Sequence, residues 1–131
     1  MSRLVTLMSC QWADMDLDTL CGKAAAMGYD GIELAIWGNH LDPLRAETDD
    51  GYVESIKAVF KKHGLTLQAL CAHVPSQCVG DWNDPRLNNF APAELAGKPA
   101  EIRAWAIRTM KAAAVAARKL GAYCVTGFGG S

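Results

Sequence analysis

Three times along the chain a helical pattern stops at a glycine and runs directly into a short apolar stretch. Gly28 precedes Gly31-Ile32-Glu33-Leu34, Gly64 precedes Leu65-Thr66-Leu67-Gln68-Ala69-Leu70, and Gly121 precedes Ala122-Tyr123-Cys124-Val125-Thr126. A glycine just past the last helical residue is the expected stop, because it enters the left-handed region without a Cβ penalty. Gly28 and Gly64 lie 36 positions apart, and Gly64 and Gly121 lie 57 apart. The excess of 21 matches a Pro/Asn/Gly-rich stretch at about 80–98, which reads as a loop inserted into an otherwise regular unit.

The segments between these stops have helical periodicity. Asp16 is the expected N-cap of a first helix that puts Leu17, Leu20, Cys21, Ala24 and Met27 on one face. A second helix is predicted over Asp49 to Lys62, with acids early and Lys61 and Lys62 late, as the helix dipole favours. A third begins near Pro99, a residue suited to the first helical position, and runs to Leu120. Strands are predicted at Leu4 to Cys10, Gly31 to Trp37, Thr66 to His73 and Ala122 to Phe128. Short apolar strands alternating with helices imply an α/β fold with a parallel sheet and right-handed crossovers. Eight units of this size make a chain near the roughly 250 residues of a (β/α)₈ TIM barrel. The sequence stops at Gly127-Phe128-Gly129-Gly130-Ser131, with no helix to cover the last strand. The expected fold is therefore the first half of such a barrel, four parallel strands and three helices. Residues 1–131 would form one N-terminal half-domain, completed by residues beyond Ser131 or by a second chain.

Composition narrows the function classes. Thirteen basic and fourteen acidic side chains leave a net charge of −1, which disfavours a nucleic-acid surface. Met1 to Ser9 holds no long apolar region, and the alanine-rich stretch near Ala112 to Ala117 is too short to span a bilayer, so no membrane segment is expected. The five cysteines contain no C-x-x-C pair, and three sit in apolar runs. They read as reduced thiols of a cytoplasmic protein, packed as small hydrophobes.

Ligands of parallel α/β sheets and barrels bind beyond the carboxyl ends of the strands. That rule selects Trp12 after the first strand, a ring that stacks on a sugar or packs a loop. On the second strand Glu33 lies in phase with Ala35 and Trp37, opposite Ile32, Leu34 and Ile36. An isolated buried charge is costly, so this carboxylate is paired, protonated or metal-bound. At the end of the third strand His73 shares a predicted face with Leu67, Ala69 and Cys71, and imidazole suits both proton transfer and metal ligation. His40 reads as an ordinary loop histidine and His63 as a structural one at a helix C-terminus. Asp81, Trp82 and Asn83 in the insertion are candidates for a lid, and the Gly127 to Ser131 turn for a hold on a sugar or phosphate oxygen. The turn has no Lys and is no P-loop. No complete catalytic set can be assembled from these residues.

The segments Gly28-Tyr29-Asp30-Gly31-Ile32-Glu33-Leu34, Leu70-Cys71-Ala72-His73 and Val125-Thr126-Gly127-Phe128-Gly129-Gly130-Ser131, in this order, resemble the opening half of the sugar phosphate isomerase/epimerase family of xylose-isomerase-like TIM barrels. The resemblance spans essentially the whole chain. It implies a divalent-metal enzyme (Mn, Mg, Zn or Co) acting on a small carbohydrate, as a sugar, sugar phosphate or polyol-derived keto compound. The reaction it implies moves a proton next to a carbonyl. It places the main metal ligands beyond Ser131, and puts Glu33 and His73 on matching strand ends that face the active site. Trp12 or Trp37 would pack the apolar face of the substrate, with His73 as the candidate catalytic residue. Homo-oligomerisation is left open. Two other readings stand beside this one: a non-catalytic sugar- or partner-binding barrel fragment, and a relative of abasic-site endonucleases, which the net charge disfavours.

Overall fold

A computed structural model describes residues 3–80 and 84–130. Four strands, β1 (Thr6–Met8), β2 (Gly31–Ala35), β3 (Thr66–Cys71) and β4 (Cys124–Thr126), form one sheet in sequential order, every neighbouring pair parallel. The helices are α1 (Leu17–Ala26), α2 (Pro43–Thr48), α3 (Asp50–His63), α4 (His73–Gly80) and α5 (Pro99–Leu120). This is the architecture of a partial TIM barrel.

Local chemistry sets the helix ends. Asp16 accepts a hydrogen bond from the Thr19 amide at 3.0 Å, and Asp49 accepts one from Tyr52 at 2.9 Å, so both long early helices carry carboxylate N-caps. Gly28, Gly64 and Gly121 all have positive φ, at 87°, 67° and 80°, as the three glycine stops require. His63 is clamped to α1, its Nε2 lying 2.7 Å from Asp18 Oδ1, beside Lys62 on the same carboxylate.

Leu34, Leu70 and Val125 lie side by side on one face, and Leu7 and Ile32 pair one step behind them. These residues pack with Leu17, Cys21 and Ala24 of α1, with Val53, Ile56 and Phe60 of α3, and with Ala113, Ala116, Ala117 and Leu120 of α5. The alanine face of α5 lets that helix settle closely on its neighbours. A second cluster, Cys78, Leu87, Ile102 and Ala106, joins α4 and the start of α5 to the inserted segment. That segment carries 3₁₀ turns at Pro85–Asn89 and Ala93–Leu95. Asp81, Trp82, Asn83 and Ser131 lie outside the described residues.

Several expectations are corrected. The strands are shorter than the apolar runs, and Ser9–Trp12 is a 3₁₀ turn rather than the end of β1. Two short helices occupy segments read as loop and strand end. α2 is started by Asp42, whose carboxylate caps Leu44 and Arg45, with Pro43 in the first turn. α4 begins at His73, so His73 opens a helix instead of closing β3; Pro75 fits there because its missing N–H falls in the first turn. A register shift in β3 pairs Ile32 with Leu67 but Glu33 with Ala69, leaving Gln68 as the extra residue of a bulge. The bulge breaks the alternation. Leu67 therefore packs with the helix-side core, whereas Ala69 and Cys71 stay on the opposite face, so His73 does not share a face with Leu67.

Candidate active site at the strand carboxyl ends

The sheet face turned away from the helices carries two rows of side chains. Met8, Glu33, Ala69 and Cys124 form one row, and Ala35, Cys71 and Thr126 the next. Small side chains at Ala35 and Ala69 leave room for the Glu33 carboxylate. Across β3, the Thr126 hydroxyl donates to Glu33 Oε1 at 2.5 Å. A half-buried carboxylate thus has its charge met by a hydroxyl fixed on the second strand away.

One step further along, His73 stands at the mouth of this face. Its Nδ1 lies 2.5 Å from Cys71 Sγ, and Cys71 Sγ lies 2.9 Å from Cys10 Sγ, which the 3₁₀ turn after β1 brings in. The Phe128 ring meets the imidazole edge-on at 4.6 Å between centroids. Ser76 ties the two segments together, its Oγ accepting the Phe128 amide at 2.8 Å. The Phe128 amide of the terminal glycine-rich turn is therefore engaged within the chain. Burial pushes the Cys71 thiol up to about 12, and the Cys10 thiol upward as well. Both shifts favour the thiol over the thiolate while no cation is near.

The structure brings Glu33 and His73 to the same face and separates both tryptophans from them. Trp12 lines a groove with Leu7, Leu20, Ala24 and Met27, on the helix side of β1. Trp37 packs against the helix-side core and shares a groove with Trp105 and Thr109 of α5. β2 ends at Ala35, so the two-residue alternation that would have turned Trp37 inward stops before reaching it. His40 lies in the turn after β2, as a loop histidine should, but is 1% exposed. Its Nδ1 pairs with Ser9 Oγ at 3.0 Å, and the same hydroxyl accepts the Ala35 amide at 2.9 Å. This buried link ties the end of β2 to the turn after β1. Burial lowers the pKa of the His40 imidazole, against an opposing pull from the Met15 and Trp12 backbone.

Cys10, Cys71 and Thr126 were not singled out by sequence reasoning. Thr126 had a legible signal, since it falls at the end of an expected strand. Cys10 and Cys71 had none, because their meeting depends on the turn after β1 folding inward.

No helix among the described residues is long and apolar enough to cross a membrane. No curated protein matches the chain significantly. Residues 21–131 match the family described as xylose isomerase-like TIM barrel, a span that runs from within α1 through β4 and takes in both rows of the inward face except Met8. That family includes sugar isomerases and epimerases as well as endonucleases. With its parallel sheet, glycine-stopped units and polar groups at the strand carboxyl ends, the chain belongs to the xylose isomerase-like TIM barrel family.

Proposed function

We propose that the chain is the N-terminal half of a sugar isomerase or epimerase domain, acting on a sugar, sugar phosphate or related polyol keto compound by proton transfer next to a carbonyl. The observation that carries this reading is the Glu33–Thr126 pair on the inward face, with His73 at its mouth. Polar groups held at fixed distance beyond strand carboxyl ends are what a substrate hydroxyl needs to find. In this reading Glu33, steadied by Thr126, accepts a hydrogen bond from a substrate hydroxyl. His73, whose Nδ1 is held by Cys71, presents Nε2 to the substrate and moves a proton between hydroxyl and carbonyl oxygen. A net charge of −1 favours this over the endonuclease branch, where an acidic backbone must be bound.

A hard divalent cation such as Mg²⁺ or Mn²⁺ takes about six oxygen ligands. Among the described residues Glu33 is the one carboxylate in the two inward rows, so these residues do not make such a site.

The test is turnover of a panel of aldoses, ketoses and their phosphates by the full-length protein in deuterated water. Deuterium should enter at the carbon next to the carbonyl, and Glu33→Gln and His73→Gln should each lower kcat/KM by about 10²- to 10⁴-fold. Turnover without solvent exchange, or full activity in both variants, would remove the assignment.

A further inference from the structure

Cys10, Cys71 and His73 offer two sulfurs and one ring nitrogen that all lie within 4.8 Å of one another. The donors come from three separate pieces of backbone: the turn after β1, the last residue of β3 and the first of α4. Neither thiol is needed for a proton to move between Glu33, His73 and a substrate. A buried thiol beside a half-buried one gains little from packing that alanine or valine would not also supply.

We propose that Cys10 Sγ, Cys71 Sγ and His73 Nδ1 form a three-ligand site for a borderline-soft divalent cation, Zn²⁺ first among them, with a fourth position left for water or the Glu33 carboxylate. Two thiolates and an imidazole are the donor set that selects zinc or cobalt over magnesium or calcium. With Zn–S near 2.3 Å and Zn–N near 2.0–2.1 Å, tetrahedral donors sit about 3.5–3.8 Å apart. The separations of 2.9 and 2.5 Å here are shorter, so the donors admit an ion by spreading outward by roughly 1 Å, a side-chain adjustment. The charge of Glu33 acts on both sulfurs and opposes a lone thiolate at either. A dication reverses that sign, stabilising thiolates and carboxylate together. Binding forms two sulfur–metal bonds and one nitrogen–metal bond and releases two thiol protons to solvent, with no oxidant or reductant required. The site shares His73, and in one arrangement Glu33, with the proposed isomerase chemistry, but metal binding requires no turnover and is read out without it.

The experiment is a Co²⁺ titration of the reduced, metal-free full-length protein under anaerobic conditions. One cobalt per chain should bring up thiolate-to-cobalt charge transfer in the near ultraviolet together with tetrahedral bands in the visible, and Zn²⁺ should abolish both. Cys10→Ser and Cys71→Ser should each diminish the charge-transfer band and weaken binding by more than about 100-fold, beyond the cost of losing an outer-shell partner. His73→Gln should keep the charge transfer while weakening binding, and Cys21→Ser should change neither. Cys10 is only half-buried, so Cys10→Ser decides the matter even where Cys71→Ser fails to fold. Absent charge transfer, an unchanged band in Cys10→Ser, or a Cys10–Cys71 disulfide persisting under reductant would each overturn the site. A failed turnover assay would leave it standing.

Discussion

Gly127→Ala should damage the protein through contact rather than through backbone strain. A Cβ at Gly127 would sit 2.7 Å from Ser76 Oγ and 2.9 Å from Ser76 Cβ. Rotating the hydroxyl away relieves the first contact but not the second, so α4 must retreat from the end of β4 by several tenths of an ångström. Overpacking of this kind costs about 1–3 kcal/mol. Retreat also stretches the 2.8 Å hydrogen bond from the Phe128 amide to Ser76, a loss of about 1 kcal/mol. The total, about 2–4 kcal/mol, should lower the urea midpoint by about 1–2 M at an m-value typical of small domains. His73 lies three residues before Ser76 in the same helix, so its ring resonances should shift as the Phe128 contact opens. Ser76→Gly removes both clashing atoms, so the double variant should be less destabilised than the sum of the single ones. Strict additivity, or a midpoint change below about 0.3 M in Gly127→Ala, would refute the packing of α4 against β4.

Three further outcomes follow. Leu34 is fully buried between sheet and helices, and Leu34→Ala should cost about 2–5 kcal/mol in equilibrium denaturation; a cost below about 1 kcal/mol would contradict its place in the core. Thr126→Val removes the donor to Glu33 while keeping the shape, and should lower kcat by about 10- to 100-fold with little loss of stability; unchanged kcat would separate the hydroxyl from the chemistry. Burial holds the His40 pKa below its ordinary 6.5, so under pH 6.5 the unfolded chain takes up a proton that the folded chain resists. Stability should thus be level above that pH and fall below it, down to the depressed folded value, at up to about 1.4 kcal/mol per pH unit. His40→Gln should flatten that slope, and an identical slope in the variant would assign the acid sensitivity elsewhere.

The units of the fold were readable because each is marked by local chemistry. Asp16 and Asp49 start helices with their own carboxylates, and Gly28, Gly64 and Gly121 stop them. Glu33 was readable for the same reason, since two-residue alternation in β2 sets its face without reference to the rest of the chain. What escaped depended on non-local geometry. The bulge at Gln68 arises from pairing with β2 and resets the faces of β3, which periodicity alone cannot reveal. α4 is eight residues long, too short for its apolar pattern to stand out from the strand before it. Trp12 and Trp37 looked like rim residues by position, and only the early ends of β1 and β2 turn them toward the helices. Asp42-Pro43, by contrast, was a legible helix start that passed unread.

The strictly sequential order of the four strands also bears on how the chain acquires its structure. Each of these strands after the first finds a partner in the strand made just before it, among residues already synthesised. Loop-closure entropy is therefore spent in small instalments. A polypeptide leaving the ribosome could add unit to unit in the direction of translation, the growing edge always being the strand made last.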